Sequence, residues 1–257
     1  MTKKSEKPSK YKLSADSLKS SAEFGYASRL ASVLKNAVAP LVFGQYGNAL
    51  HKQLQARITT AIARGPERKK GNRTMADGEV SILNGLELNP YTRFSTLTHL
   101  LFVKATILPK TNTLRIELPA IRSDRFRWPD RAGEAYLNVR CVVVDVHRGI
   151  AENYVLEPLA FKKVSADKPP RQATVQATDL EDRMVLVAVG VSFFRTDSDG
   201  QDGLISRNRK YYAARLVEAA YVKDGKVAVF TEENKKPGPI TPSSTSDVST
   251  IKWDDGD

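Results

Sequence analysis

The 257-residue sequence predicts an α+β fold, with an N-terminal helical hairpin followed by an antiparallel β-sandwich-like domain and extended N- and C-terminal tails. Hydrophobic residues recur at three- and four-residue steps as far as Ile62 and at alternate positions from about Val80 onward, so the period falls from that of a helix to that of a strand. The apolar runs after Val80 are separated by turns rather than helical segments, which argues against a doubly wound parallel sheet. Both ends differ in composition from the body, the first Lys-rich and the last rich in Pro, Ser and Thr.

Taken in order, residues 1–19 form a basic arm with Lys3, Lys4, Lys7, Lys10 and Lys12 and nothing in its first thirteen residues to pack a core. Ser20 and Glu23 fit a capping box, and Phe24, Ala27, Leu30, Leu34 and Val38 then mark an amphipathic helix ending near Pro40. After the Gly44–Gly47 break, Leu50, Leu54, Ile58 and Ile62 mark a second helix that Gly65-Pro66 stops. The two apolar stripes need a cover. Packing onto the chain's own β body is the ordinary answer; the sharper one puts the same face, including Phe24, Leu30 and Leu34, on another copy. A basic loop with Arg68, Lys69, Lys70 and Arg73 closes this helical segment at residue 78.

Residues 79–230 read as the β domain. Leu101–Ile107 and Leu114–Leu118 alternate about a turn at Pro109–Asn112, and further strands are expected at Ala135–His147, Tyr154–Phe161, Gln172–Thr178 and Met184–Arg195. Tyr211–Val222 fits strand or helix, and Asp224-Gly225 turns the chain into a last short strand, Val227–Phe230. Residues 231–257 are a Pro/Ser/Thr linker with an acidic end, where Ile251 and Trp253 precede Asp254, Asp255 and Asp257.

Formal charge is +11, distributed as +11 over residues 1–75, +3 over 76–230 and −3 over 231–257. Such asymmetry suits a basic interaction arm, its partner being nucleic acid, another polyanion or the chain's own acidic tail. The single cysteine, Cys141, excludes an intramolecular disulfide and a Cys-based zinc site, and its apolar surroundings predict a buried thiol. No run approaches the length of a membrane span, and no apolar h-region follows the basic start, so the expected location is cytoplasmic or within an assembly released without a classical signal peptide.

The motifs of common catalysts are missing. His51, His99 and His147 are scattered, with no HExxH, no G-x-S-x-G, no G-x-G-x-x-G and no Walker loop, so no catalytic, cofactor-binding or metal-ligating residue is assigned. The Asp197–Gly203 stretch lacks the Gly and Glu placements of an EF-hand and reads as a hairpin connection. Pro129-Asp130 and Asp224-Gly225-Lys226 are too generic and too far apart to define a nuclease. The most suggestive local feature is Arg122, Arg125, Phe126, Arg127, Trp128 and Arg131, where cations and rings alternate as in single-strand binders. The same residues also suit a loop whose aromatics cap the core under Arg stems, with Asp124 and Asp130 neutralising charge. Arg207, Arg209 and Lys210 before Tyr211 and Tyr212 form a weaker patch.

The helices, the Gly65-Pro66 to Gly71 phrase, the Ile82–Asn89 stretch and Val189–Phe194 together resemble an uncharacterised family of basic proteins from Bacteroidota. That resemblance implies N-terminal helices before a β domain and carries no activity. The sequence therefore points first to a non-enzymatic assembly protein joined through its arms and tail, with Phe24, Leu30, Leu34, Ile251, Trp253, Asp254 and Asp255 as contacts. The alternative is a nucleic-acid-binding module or nucleoprotein that uses the basic arm and Arg-rich loops.

Overall fold

The computed structural model describes residues 13–45, 47–98, 103–163, 167–196, 202–204 and 209–231. Helix α1 spans Ala15–Val38 and helix α2 Gly47–Ala63. The first helix starts earlier than the capping-box pattern implies, and five residues assigned to the arm belong to it. Ser14 is the N-cap, its hydroxyl accepting from the Ser17 N–H, and Asp16 adds a favourable charge in the first turn. Ser20 and Glu23 lie inside the helix, and Glu23 is turned inward. Pro40 ends α1 by passing the chain into a 3-10 turn, Ala39–Val42, before Phe43 and Gly44 reverse it at positive φ.

The helices are followed by a long irregular connection rather than by strands. Residues 80–83 form a 3-10 turn and Phe94–Leu97 a single helical turn, α3. Among the described residues ten strands follow: β1 Lys104–Leu108, β2 Thr113–Leu118, β3 Glu134–Asp145, β4 Ile150–Val155, β5 Leu159–Lys162, β6 Arg171–Gln176, β7 Arg183–Thr196, β8 Asp202–Leu204, β9 Tyr212–Lys223 and β10 Lys226–Val227. The stretch Tyr154–Phe161, expected as one strand, is divided between β4 and β5, because Pro158 has no N–H for the ladder.

All strand pairs are antiparallel. The larger sheet has the order β10-β9-β7-β3-β4, with β5 extending the β4 line on β3 and β8 pairing with β7; the smaller has the order β1-β2-β6. The large sheet is covered on both faces. Met184, Leu186 and Ala188 of β7 share a core with α1 and α2, while Val185, Val187 and Val189 share one with Leu114, Ile116 and Leu118 of the small sheet. The result is three layers, helices on sheet on sheet, with the strand alternation assigning each residue to one core or the other.

β9 resolves the strand-or-helix ambiguity. Opposite the Val187/Ala188 step the register shifts by one residue, leaving Val217 extra. Tyr212, Ala214 and Leu216 face the helices before this bulge, and Ala219 and Tyr221 face them after it. One inserted residue thus changes which parity points inward, and this blurs a period-two pattern along the sequence. The outer edge of β9 is occupied at two places. Residues 85–88 exchange backbone hydrogen bonds with Ala214 and Leu216, and β10 pairs with Val222 and Lys223.

The irregular connection lies tightly against α2. A Cβ at Gly78 would stand 2.6 Å from the Ala61 carbonyl oxygen, a backbone atom that cannot swing away. Gly78→Ala should therefore destabilise the chain by about 1–3 kcal/mol, read as a lower urea midpoint at unchanged slope. A midpoint equal to wild type would show that this approach is not constrained.

Candidate functional site

The basic loop Arg68–Arg73, foremost among the sequence candidates for polyanion binding, is largely committed within the molecule. Arg73 is only 6% exposed and Glu23 8%, and the two form a forked pair, Nε to Oε1 at 2.7 Å and Nη2 to Oε2 at 2.9 Å. Arg73 Nη1 also donates to the Ala63 carbonyl at 3.0 Å, capping the end of α2, and Glu23 Oε1 accepts the Gly71 N–H at 2.8 Å. This buried cross-link ties α1, α2 and the loop together, so Arg73 is withdrawn from the candidate polyanion set. Lys69 is bonded to Asp77, and Lys70 lies 3.4 Å from Asp16 and 3.6 Å from Glu67. Arg68 is exposed and has an interaction of its own within the molecule.

Burial pushes the Glu23 carboxyl up, but the Arg73 fork and the Gly71 N–H outweigh it and hold it below the ordinary range. Burial pushes the half-buried Tyr26 hydroxyl up to about 12, against the opposing effect of the Met75 N–H that it accepts at 3.1 Å.

The Arg122–Arg131 segment also has internal partners. Phe126 is 3% exposed and packs against Phe161, Phe193 and Trp128, while the Trp128 indole donates to the Ser123 carbonyl at 2.8 Å. Phe126 is therefore not presented for base stacking and leaves the candidate set, while Trp128 is half-buried with its indole N–H committed. Arg122 pairs with Asp124 at 2.9 Å and Arg125 approaches the same carboxylate at 4.0 Å; Arg127 and Arg131 are exposed, the former with a partner. Nor are the two patches brought together. Tyr26 and Met75, against the loop, belong to the core on the helix side, and Phe126 and Trp128 to the core beyond the large sheet.

Of the proposed self-association residues, Leu30 and Leu34 are buried in the chain's own core at 2% and 0% exposure, so the helix stripe is spent on its own sheet. Phe24 stands apart from them, 58% exposed. Ile251, Trp253, Asp254 and Asp255 lie outside the described residues, as do His99, Arg207 and most of the Asp197–Gly203 turn, although β8 beyond that turn pairs back on β7 as a hairpin requires.

Ser81 donates to Glu79 and Thr74 to Asp77, but neither described histidine is bonded to a Ser, Thr or Cys side chain. His51 Nε2 donates to the Ser28 carbonyl at 3.1 Å, linking the helices, and His147 is exposed in the β3–β4 turn. Cys141 is fully buried in β3, as its surroundings predict, and burial pushes its thiol up to about 12. No cluster of three or more His, Cys, Asp or Glu is placed to hold a metal among the described residues, and no described helix is long and apolar enough to cross a membrane. A cleft of about 610 Å³ lies between residues 64–84 and β9–β10. Its Arg64 and Lys69 are already paired with Glu79 and Asp77, and burial raises the Glu218 carboxyl beside them.

Sequence reasoning missed the surface that the fold leaves open. β4 is the terminal strand of the large sheet, and its Ile150 and Val155 are 57% and 60% exposed. The sole sequence signal was the pair of apolar residues flanking a polar centre in Ile150–Val155. Fold and surface together define an α+β protein of layered antiparallel sheets whose larger sheet ends at β4 in an edge with exposed aliphatic side chains. No family model, curated protein or solved structure matches the chain.

Removing one member of the buried pair strands the other. Glu23→Gln should lower stability by ~3–5 kcal/mol near neutral pH. The Glu23 carboxyl lies lower in the folded chain than its unfolded value of 4.5, so its contribution is complete above that value and fades as pH falls through the folded one. The gap between wild type and variant in urea melts should therefore narrow on acidification; a gap that widens would refute the sign. Cys141 should react with a thiol reagent only as fast as the chain unfolds, with the rate accelerating along the denaturation curve.

Proposed function

We propose that this chain is a non-catalytic assembly subunit that joins copies of itself through the open edge formed by β4. The observation that supports it is the contrast between the two edges of the large sheet. On one side residues 85–88 and β10 occupy β9, whereas β4 ends the sheet with two large aliphatic side chains exposed. An uncovered strand edge bearing apolar residues is a template for another strand, and monomeric proteins ordinarily blunt it. Leu156 donates its N–H to Val139, so by alternation the inward-bonded residues of β4 are Ile150, Glu152 and Tyr154. The backbone groups of Ala151, Asn153 and Val155 point away from β3 and are free to form a new ladder.

Nucleic-acid binding is the second reading, and the internal commitment of Arg73, Phe126 and Trp128 counts against it. It rests on Arg68, Arg127, Arg131 and the arm.

Size-exclusion chromatography with light scattering, on protein prepared without nuclease, tests both. The expected result is a mass above the 28.4 kDa of one chain, rising with concentration, at the absorbance ratio of protein alone. Ile150→Lys on the exposed edge should reduce association without changing the circular dichroism spectrum. A single-chain mass at all concentrations would overturn the proposal, and a high absorbance ratio that collapses with salt would favour the nucleic-acid alternative.

A further inference from the structure

Beside β4, the helix layer stops short of the end of the sheet. Leu41 is its last residue over β7: a Cβ on Gly190 would lie 3.3 Å from the Leu41 Cδ2. Past that contact the sheet carries a groove of about 280 Å³ between Pro40 and Phe43 on one side and Tyr136, Phe194, Val155 and Pro158 on the other. That volume falls below the usual range for small-molecule pockets, and suits one large side chain. Phe43 sits at its lip, 36% exposed, with φ at 52° and its ring edge-on to Tyr212 at 5.0 Å. Bulky residues adopt that backbone only where their surroundings enforce it.

Arg140 lies at the same place. Its Nη1 donates to the Ala37 carbonyl at the end of α1 at 3.0 Å and to Asn153 Oδ1 at 3.4 Å. Its Nε is buried without a hydrogen-bond partner among the described residues, and no carboxylate there pairs with it. Burial disfavours its charge, a cost that an arriving carboxylate would offset. An aromatic-lined groove with one uncompensated arginine at its side fits a large apolar side chain followed by acid.

The chain carries that combination once outside the described residues, as Ile251-Lys252-Trp253-Asp254-Asp255. We infer that this segment of a second copy adds as a strand along β4, seating Trp253 in the groove with Asp254 and Asp255 near Arg140. This rests on the assembly proposed above and names its contact. Register supports it. Ile251 and Trp253 are two residues apart and share a face in an extended strand, and Val155 faces the helix side, where the groove lies. The linker 232–250 can extend to about 60 Å, while β10 and β4 are separated by four strand spacings, roughly 19 Å. It leaves from the β10 edge, opposite β4, with helices over one face of the sheet and the small sheet over the other. A neighbour's edge is reached without passing round either layer, and repeating that contact gives a head-to-tail assembly.

The test uses two full-length variants. Trp253→Ala/Asp254→Lys/Asp255→Lys changes only the tail, and Val155→Lys places a charge on an exposed residue at the groove. Each alone should associate about thirtyfold more weakly than wild type, the loss expected for a buried aromatic anchor. Mixed one to one, they should pair, since the first keeps an intact groove and the second an intact tail. In a Trp128→Phe background Trp253 is the sole tryptophan, and its emission should shift to the blue in parallel with mass as concentration rises. A blue shift independent of concentration, or a mixture that stays unpaired, would overturn docking between copies. Full association by the tail variant would overturn the groove assignment while leaving assembly through β4 standing. Absence of association in wild type would overturn both.

Discussion

Everything in this structure follows from three strands that are apolar on both faces. β3, β7 and β9 place one set of alternating residues toward α1 and α2 and the other toward β2, and neither set can be left in water. Burial contributes roughly 25 cal/mol for each Å² of apolar surface, so a strand buried on both sides must be covered twice. The helical hairpin serves one face and the small sheet the other. The bulge at Val217 keeps β9 in phase with both cores, since without it Ala219 and Tyr221 would exchange faces with Ala220 and Val222.

The same economy explains why basic residues do so little at the surface of the loop. The helical hairpin needs a link at its open end, and Glu23 with Arg73 supplies one from inside. A buried ion pair of this kind adds little net stability over an apolar pair of equal volume, yet it fixes how the two helices and the loop fit, because either charge alone is intolerable there. Basic composition in this region thus reflects internal wiring as much as any partner.

How much was legible depended on whether a residue's role was local. Helix spacing from Ala27 to Ile62 and strand alternation in β2, β3 and β7 could be read directly, because each buried stripe is periodic. The start of α1 was misplaced because Ser14 and Ser20 are equally good caps in isolation and only the inward turn of Glu23 separates them. Residues 80–98 were assigned to the β domain, whereas Val80, Leu83, Leu86 and Leu88 reach the core from irregular backbone. For the candidate site, Phe126 and Trp128 were weighed as core or as stacking platform, a choice that rests on Phe161 and Phe193, distant in sequence. The open edge of β4 could not be seen at all, since strand order is set by pairing across long separations.

Asn89 donates to the carbonyl of Tyr212 across 123 residues, and its own side-chain oxygen accepts from Tyr91 and Thr92. Strand-like contacts of the N-terminal third are therefore made with β9, an element synthesised more than a hundred residues later, as the 123-residue span from Asn89 to Tyr212 shows. During translation α1 and α2 can cover part of their apolar stripes with each other and then with β3 and β7, but the part that Tyr212, Ala214, Leu216, Ala219 and Tyr221 cover stays open until residues 212–223 have emerged. A ribosome-bound chain stopped after β7 lacks one of the three strands that seal the helix face, so the helix-side core closes only when β9 is added.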